Sequence, residues 1–424
     1  MAFAALDLGS TRLKAAILKE DKSFQVWHVP SPRVFGKDPI REMRPKAFLS
    51  RLNQLMRMVR VQVKEPLIWG ISSQRSTFAV WSGDRFLTPL ISWQDRRAIA
   101  WCEQHQALAS WIWQRTGLKL SPHYMGPKLA TLAVSKRADV RFGTLETLLM
   151  DRWTQGEMYR AEPSMAARTQ LVHLQTGTWD ETVAQRIGLP GLNRPTIWPN
   201  PQDLPIHGSD RLRTVISDQA AGVLPILKQD ASGVLINLGT GGFVLKATDQ
   251  PSAQPPYLVG PVNARFYALE ATLNKIGDLY QSDFPSALPP GFAFPDAAGW
   301  GSPYWRPQMK RTYSKGVRGS ARSVVGRLGI AFRLFEILQA FQVGQANIYL
   351  AGGGSNDPLI GRALATLVGR PIHRLSLQEA SLAGVFCEML EMRFPLLTET
   401  IDPDPELTRL ETRFPEWQAW VADL

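Results

Sequence analysis

The first residues of the chain alternate between apolar segments and a small polar turn. Residues 2–18 form an apolar segment, a turn of Gly9, Ser10 and Thr11, and a second apolar segment. This pattern predicts two strands joined by a tight turn. Such a turn leaves backbone N–H groups free to bind an anion, and glycine lets the anion approach closely. Asp7 stands at the end of the first predicted strand, where its carboxylate could hold Mg²⁺ beside that anion, directly or through water. An ordinary hairpin with an aspartate in this position would show the same local pattern.

The same pattern recurs in the second half of the chain. Residues 233–245 again form an apolar segment, a glycine-and-hydroxyl turn and an apolar segment, and Asn237 aligns with Asp7. A third glycine turn follows the apolar run before residue 352 and precedes a helical pattern. The repetition predicts a duplicated domain with a nucleotide between the halves. The residues of the second and third turns are Gly239, Thr240, Gly241, Gly352, Gly353, Gly354 and Asn356.

Longer periodic segments predict the surrounding elements. Apolar residues recur at three- and four-residue spacing in residues 47–63, which predicts an amphipathic helix. Helices are also predicted over residues 98–115 and 407–424, the latter as a docked terminal helix. Residues 160–171 are predicted to be extended.

Polar residues follow two of the predicted strands. The buried strand at residues 67–71 ends in a polar segment that includes Gln74 and Arg75, and in an α/β domain such residues face a ligand crevice. A hairpin ends at Trp93, which is followed closely by Asp95. A flat apolar ring beside hydrogen-bonding groups suits a sugar, although a core tryptophan beside a helix start would show the same pattern.

Asp218 follows another apolar strand and precedes a helical pattern. In this position a carboxylate either caps the helix or faces the site. The sequence pattern leaves both alternatives open.

Composition narrows the class of protein. The chain has 424 residues, 44% of them hydrophobic and 20% charged, which predicts a globular protein of two or three domains. We find neither an apolar run long enough to span a bilayer nor a signal peptide. Because the chain has two cysteines, we expect neither a disulfide framework nor a cysteine metal cluster. We expect a cytoplasmic location.

The formal net charge of +11 is the unusual feature of the composition. Between Asp296 and Glu336 there are basic residues but no acidic ones. Such a stretch can form a solvated basic face, attract polyphosphate or bind nucleic acid. Because no nucleic-acid-binding motif accompanies the charge, we expect a solvated face and no nucleic-acid partner.

Several segments taken together resemble the FGGY family of carbohydrate kinases. They occur in the family's order and cover the chain from about residue 3 to residue 388. Besides the three glycine turns they are Ser72-Ser73-Gln74-Arg75-Ser76-Thr77, Ile91-Ser92-Trp93-Gln94-Asp95-Arg96-Arg97, Pro127-Lys128-Leu129, Ala167-Arg168-Thr169, Ile216-Ser217-Asp218-Gln219-Ala220-Ala221-Gly222 and Gly301-Ser302-Pro303-Tyr304-Trp305.

The resemblance implies an α/β fold with two duplicated actin-like (ribonuclease H-like) domains and a nucleotide and sugar cleft between them. We expect the sugar-binding domain at residues 1–225 and the ATP-binding domain at residues 226–424. The implied activity is ATP-dependent phosphorylation of a small sugar or polyol with Mg²⁺, and the resemblance allows a homodimer without requiring one.

The resemblance also implies roles for individual residues. Asp218 would be the catalytic base and, with Asp7, a metal ligand. The implied substrate-binding residues are Gln74, Arg75, Ser76, Trp93, Asp95, His123, Asp218 and Gln219. The implied nucleotide-binding residues are those of the three glycine turns together with Lys14.

The chain departs from the family in length and in its substrate segment. It is shorter than most members, and the loss falls between Glu270 and Gly301. Ser76 occupies the position where the glycerol-kinase branch has a glutamate, and His123 lies near the position of a substrate-contacting tyrosine. A shorter residue at position 76 predicts a roomier pocket and therefore a pentulose such as ribulose or xylulose.

Two further hypotheses remain open. One is a kinase of glycerol or another polyol, and the other is an actin-like ATPase or interaction protein without kinase activity. The sugar-facing residues argue against the second, because an ATPase alone does not need them. The chain contains neither a P-loop motif nor a Gly-x-Gly-x-x-Gly after the first strand, which argues against a P-loop enzyme and a dinucleotide dehydrogenase.

Overall fold

The computed structural model describes residues 1–134, 136–199, 203–206, 208–249, 251–377 and 379–424 of the chain. Within these residues, two large mixed sheets are covered by helices, and smaller sheets flank them. None of the helices in these ranges is long and apolar enough to cross a membrane.

The first half of the chain contains strands β1 to β13 and helices α1 to α8. The strands are β1 (Ala2–Leu8), β2 (Arg12–Leu18), β3 (Phe24–Pro30), β4 (Glu42–Met43), β5 (Leu67–Ser73), β6 (Phe78–Ser82), β7 (Arg85–Phe86), β8 (Leu90–Ile91), β9 (Val140–Thr144), β10 (Arg160–Ala161), β11 (Thr196–Ile197), β12 (Leu204–Pro205) and β13 (Arg211–Ser217). The helices are α1 (Pro45–Arg60), α2 (Ile99–Gln104), α3 (Ala109–Thr116), α4 (Met125–Ala130), α5 (Leu145–Trp153), α6 (Pro163–Ala167), α7 (Glu181–Arg186) and α8 (Asp218–Leu227).

The second half repeats this alternation. Its strands are β14 (Val234–Leu238), β15 (Gly242–Thr248), β16 (Leu258–Pro261), β17 (Tyr267–Leu273), β18 (Ala293–Phe294), β19 (Thr312–Tyr313), β20 (Ile348–Ala351), β21 (Ile372–Leu375) and β22 (Thr398–Ile401). Its helices are α9 (Ala321–Ala340), α10 (Pro358–Val368), α11 (Ala380–Met389) and α12 (Leu410–Ala422). Short 3₁₀ turns lie at Gln106–Leu108, Gly277–Leu279, Gly353–Asn356 and Pro405–Leu407.

The first sheet has the strand order β12-β13-β5-β1-β2-β3. β1 and β2 form the predicted antiparallel hairpin, while β1, β5 and β13 run parallel. Every residue of β5 is buried, as expected for a central strand. Because the carboxyl ends of the parallel strands meet at one edge, residues that follow them lie close together in space.

The second sheet has the order β16-β17-β15-β14-β20-β21-β22. β14 and β15 form an antiparallel hairpin, and β14, β20 and β21 run parallel. The pairing of β17-β15-β14-β20-β21 therefore repeats that of β3-β2-β1-β5-β13 in the first sheet. This confirms the α/β fold with a duplicated plan.

The two sheets are joined through a close pair of helices, α8 and α11. A Cβ atom at Gly384 would lie only 1.8 Å from the backbone oxygen of Ala221, so glycine is required for this approach. α11 also packs on the first sheet, where Val385 lies against Gly70. α8 spans residue 225, so the expected division into residues 1–225 and 226–424 passes through this helix and stays a prediction.

Comparison with the predicted elements shows where local pattern sufficed. The amphipathic helix is confirmed as α1 and the terminal helix as α12, whose Trp417 is fully buried. The single helix expected over residues 98–115 is wrong, because α2 and α3 are separated by a 3₁₀ turn. The extended segment at residues 160–171 contains α6, which is capped by the Glu162 side chain.

The basic stretch before Glu336 is only partly a solvated face. Arg327 and Arg333 on α9 are completely buried. The Arg327 Nη1 donates to the backbone oxygen of Asp283 and lies 3.6 Å from the Asp357 carboxylate. Arg333 donates to Glu336 and lies against aromatic rings. The expectation of a solvated face is therefore wrong for these two residues.

Candidate active site

Asp7, Ser72 and Asp218 converge at the carboxyl edge of the first sheet. Asp7 pairs with Ser72 in the register of β1 and β5, and the Ser72 hydroxyl donates to Asp7 Oδ1 over 3.3 Å. Asp218 follows β13 at the same edge. Ser217 is the N-cap residue of α8, and Asp218 in the first turn accepts from the backbone N–H of Gln219 with Oδ1.

The electrostatics of this edge couple the two carboxylates. Burial, followed by the negative charge of Asp218, raises the pKa of Asp7 to about 7, while Lys14 opposes the shift. Burial also raises the pKa of Asp218, against the positive charge of Arg75. The Lys14 Nζ donates to Glu379 Oε2 over 2.5 Å, so Glu379 shares this cation with Asp7.

The donor set at this edge fits Mg²⁺. Among the residues that the structure describes, no group of three or more His, Cys, Asp or Glu side chains forms a preformed metal site. Mg²⁺ is held in phosphoryl-transfer sites by one or two carboxylates plus water and substrate phosphates. Asp7 and Asp218 offer two such carboxylates, and the Nε of Arg75 lies 3.7 Å from Asp218 Oδ1.

Arg75 connects Asp218 to the second sheet. Its Nε lies 3.7 Å from Asp218 Oδ1, and its Nη1 and Nη2 donate to Glu270 on β17 over 2.6 and 3.2 Å. Arg168 donates to the same Glu270 carboxylate over 3.2 and 3.4 Å. Although burial alone would raise it, the charges of Arg168 and Arg75 hold the pKa of Glu270 at about 2.

Trp93 and His123 form an aromatic corner near these charges. Their ring centroids are 5.5 Å apart at 65°. The backbone N–H of Trp93 donates to the Thr77 hydroxyl, which in turn donates to Gln74 Oε1 over 3.1 Å. Burial, together with nearby positive charges, lowers the pKa of His123 to about 3, so its ring is neutral at physiological pH.

The structure places Asp95 and Ser76 among partners within the protein. Asp95 is completely buried, and its oxygens accept from the Arg97 side chain and from the backbone N–H groups of Arg41 and Arg97. The structure therefore brings Asp95 to Arg97, and its carboxylate has little capacity left for a sugar. Ser76 is also buried, with its hydroxyl 3.5 Å from the backbone oxygen of Arg168.

The second and third glycine turns lie next to each other. At Gly352, where φ is +81°, an added Cβ would lie 2.5 Å from the backbone oxygen of Leu238, which precedes the second turn. Tyr280 covers Gly354 with its ring. The exposed residues of these turns are Gly239, Thr240, Gly352, Gly353 and Asn356.

The first glycine turn lies at the end of the β1–β2 hairpin. Gly9 and Ser10 are half-buried and Thr11 is exposed. The hydroxyl of Ser31 donates to the backbone oxygen of Gly9 over 2.6 Å, which ties the turn to the end of β3. This leaves the turn at the same edge of the sheet as Asp7.

A small cavity separates the two sheets beside Arg75 and Glu270. Its volume is about 30 Å³, enough for a water molecule but not for a sugar. Gln219 and Ser164 line it from the first half, and Val262 from the second. This cavity is therefore too small to hold a sugar.

The sequence analysis assigned no site role to Glu270, Arg168, Glu379 or Lys128, although Lys128 and Arg168 lie in segments that resemble the kinase family. Glu270 had one available signal, since it is a lone carboxylate in the apolar strand β17. The fully buried Lys128 donates from Nζ to the backbone oxygen of Ser92 over 2.9 Å, directly before Trp93. Its contact joins distant segments and could not be read from local pattern.

Comparison with known proteins agrees with this geometry. Residues 2–201 match the N-terminal domain of the FGGY family of carbohydrate kinases. A glycerol kinase from Thermus brockianus is 28% identical over 439 residues, covering 90% of this chain and 88% of that protein.

Solved structures share the fold over the whole chain. A gluconate kinase from Lactobacillus acidophilus has a TM-score of 0.87 at 18% identity, with 100% of this chain and 98% of that chain covered. A xylulose kinase from the same organism has a TM-score of 0.88 at 17% identity, with the same coverage. Residues 2–201 of this chain thus match the FGGY family of carbohydrate kinases, and the whole chain shares the fold of solved sugar kinases.

Proposed function

We propose that this chain phosphorylates a hydroxyl of a pentulose with ATP and Mg²⁺, with Asp218 as the catalytic base. The observation that carries the proposal is the placement of Asp218 beside Asp7, at the carboxyl edge of the first sheet and next to the Arg75 side chain. Phosphoryl transfer requires alignment, charge neutralisation and a group that accepts the proton of the attacking hydroxyl. This edge offers all three.

The side chains divide the work in the following way. Asp218 accepts the proton from the acceptor hydroxyl as its oxygen attacks the γ-phosphoryl group of ATP. Arg75 and Gln219 orient the acceptor, and backbone N–H groups of the glycine turns bind the phosphates. When bound, Mg²⁺ held by Asp7 and Asp218 would neutralise charge on the transferring phosphoryl group.

The acceptor set that we propose comprises Gln74, Arg75, Trp93, His123, Asp218 and Gln219. We leave Asp95 out because Arg97 and backbone N–H groups already satisfy its carboxylate. Its role is to anchor the segment that carries Trp93. Ser76 enters through its small size, which leaves more room than a glutamate would.

The preference for a pentulose follows from this missing carboxylate. A short triol would leave buried polar groups without partners, at a cost of about 1–3 kcal/mol for each. Glycerol is the second candidate acceptor, because the Thermus brockianus relative is a glycerol kinase and aligns over most of the chain.

We further propose that the acceptor binds mainly to residues 1–225 and ATP mainly to residues 226–424. The cavity between the two sheets is too small for a sugar, so substrate entry requires the halves to separate and then close. The cytoplasmic location and the homodimer stay predictions.

The test of the proposed function is an acceptor panel. ADP release would be measured with D-ribulose, D-xylulose, their pentitols, gluconate and glycerol, and kcat/KM compared across them. We expect the highest value for a pentulose. The highest value for glycerol would refute the pocket-size argument while leaving the kinase assignment intact.

A further inference from the structure

Glu270 is the one carboxylate of β17 and lies between two arginines that come from the other half of the chain. Arg75 follows β5, and Arg168 follows α6. Both guanidinium groups donate to both oxygens of Glu270, whose side chain is only 6% exposed. The contact therefore spans the cleft between the two sheets.

Stability alone does not explain such a cluster. Removing two or more charges from water costs much of what their attraction returns, and apolar replacements of buried ion pairs often stabilise a protein. The position of the cluster is more informative, because Arg75 also approaches Asp218. Its Nε, 3.7 Å from Asp218 Oδ1, is the part of the guanidinium that Glu270 leaves free.

The geometry determines which atoms Arg75 can offer. Glu270 binds Nη1 and Nη2, so Arg75 faces Asp218 through Nε and cannot turn both Nη groups toward it. Without Glu270, the two Nη groups would be free to turn toward Asp218. A bidentate Arg75–Asp218 pair would occupy the oxygens that must receive the proton of the acceptor.

We propose that Glu270 is a positioning residue for phosphoryl transfer, which holds Arg75 in an orientation that leaves Asp218 available. This inference rests on the proposed function, in which Asp218 is the base. Because Glu270 belongs to the second sheet, Arg75 reaches this orientation only when the two halves of the molecule meet. The contact thus links closure of the cleft to assembly of the acceptor site.

The test begins with Glu270→Gln, which keeps the shape of the side chain and removes its charge. We expect kcat to fall by about 10²-fold, comparable to the effect of misplacing a reacting group by about 1 Å. The KM for ATP should stay unchanged, because the glycine turns lie outside the cluster. Glu270→Asp, which retains the charge, should recover part of the lost kcat.

A second variant pair tests whether Glu270 acts through Arg75. In an Arg75→Met background, adding Glu270→Gln should lower kcat no further, because the side chain that it positions is gone. The matched control is Glu336→Gln, the same substitution at a carboxylate that also binds a buried arginine, Arg333. It should leave kcat unchanged, and thermal unfolding of each variant reports the folded fraction.

Several outcomes would overturn the inference. These are near-normal kcat in Glu270→Gln, a loss matched by Glu336→Gln, or a double variant much worse than Arg75→Met alone. Failure of the proposed function would be recognised separately, as absence of phosphoryl transfer by the wild-type enzyme to any acceptor of the panel. In that case the rate of slow ATP hydrolysis is compared between Glu270→Gln and the wild type. An unchanged rate would refute the positioning role.

Discussion

The β1–β2 and β14–β15 hairpins share a backbone plan and differ in their side chains. Asp7 is the penultimate residue of β1, beside Ser72 of β5, whereas Asn237 occupies the matching place on β14, beside Ala351 of β20. The first hairpin brings a carboxylate into a buried, charged edge. The second brings an amide beside a glycine turn, since its Oδ1 would lie 2.6 Å from a Cβ at Gly352.

The two sheets also differ in the residues that follow their outer parallel strands, β13 and β21. Beyond β13 the first sheet presents Asp218, while beyond β21 the second presents the exposed Ser376. Buried carboxylates lie at the edge of the first sheet, and two open glycine turns lie at the edge of the second. The same backbone plan thus occurs twice, and the proposed function assigns catalysis to the first copy and nucleotide binding mainly to the second.

The largest expected effect comes from Asp218→Asn. The amide keeps the size of the side chain but cannot accept the proton, so kcat should fall by about 10²- to 10⁴-fold. ATP affinity, measured by calorimetry, should change little. Ser376→Ala at the corresponding strand end of the second sheet is the control and should be silent. Near-normal turnover of Asp218→Asn would refute the proposed base.

The next largest loss of activity is expected at Asp7, which is compared with Asn237 at the matching position of the second sheet. Asp7→Ala removes a proposed Mg²⁺ ligand, so kcat/KM for Mg²⁺-ATP should fall by about 10²-fold. Asn237→Ala, at the matching position, should have a much smaller effect. Both values come from initial rates at varied Mg²⁺ concentration. An equal loss in the two variants would contradict a division of labour between the hairpins.

The glycine turns of the second half allow a milder test. Among the described residues, none approaches within 4 Å of a Cβ added at Gly353, and the nearest approach at Gly239 is 3.8 Å. Alanine at either position should therefore fold normally, and raise the KM for ATP by about tenfold, the equivalent of roughly one hydrogen bond.

The KM for the acceptor provides the internal control for these alanine variants. If the KM for the acceptor rose more than the KM for ATP, the assignment of the turns to the nucleotide would be wrong. Gly352→Ala should instead lower the melting temperature, because its positive φ and the nearby Leu238 oxygen exclude a side chain.

The sequence predicted those parts of the site that follow strand ends. Apolar periodicity located β1, β5 and β13, and the parallel arrangement of their carboxyl ends brings Asp7 and Asp218 together. The contacts that sequence reasoning missed join segments far apart in the chain, as Glu270 joins Arg75 and Arg168 across the cleft. Local pattern carries no information about such partners.

Burial is the second feature that the sequence pattern did not show. Asp95 resembles a ligand-binding carboxylate by its position after Trp93, but only the folded chain shows that Arg97 and backbone N–H groups occupy its oxygens. Likewise Arg327 and Arg333 lie in a basic stretch, yet α9 turns them into the core. Composition cannot distinguish a buried cation with partners from a solvated one.

The smallest expected effect is on the pH dependence of the free energy of unfolding. It compares two buried cations, Lys128 of the first half and Arg333 of the second. Burial lowers the pKa of Lys128 to about 7, whereas the ordinary lysine value of about 10.4 applies in the unfolded chain. Between these pH values the unfolded state binds more protons than the folded state. The free energy of unfolding should therefore rise with pH by up to about 1 kcal/mol per pH unit because of this residue.

Lys128→Met should remove that slope in urea unfolding measured from pH 7 to 10. Arg333→Met, the matched control, should leave the slope intact. If the free energy of unfolding of Lys128→Met changed with pH in parallel with that of the wild type, Lys128 would be charged in the folded protein. The groups of the first half with shifted pKa values would then not include Lys128.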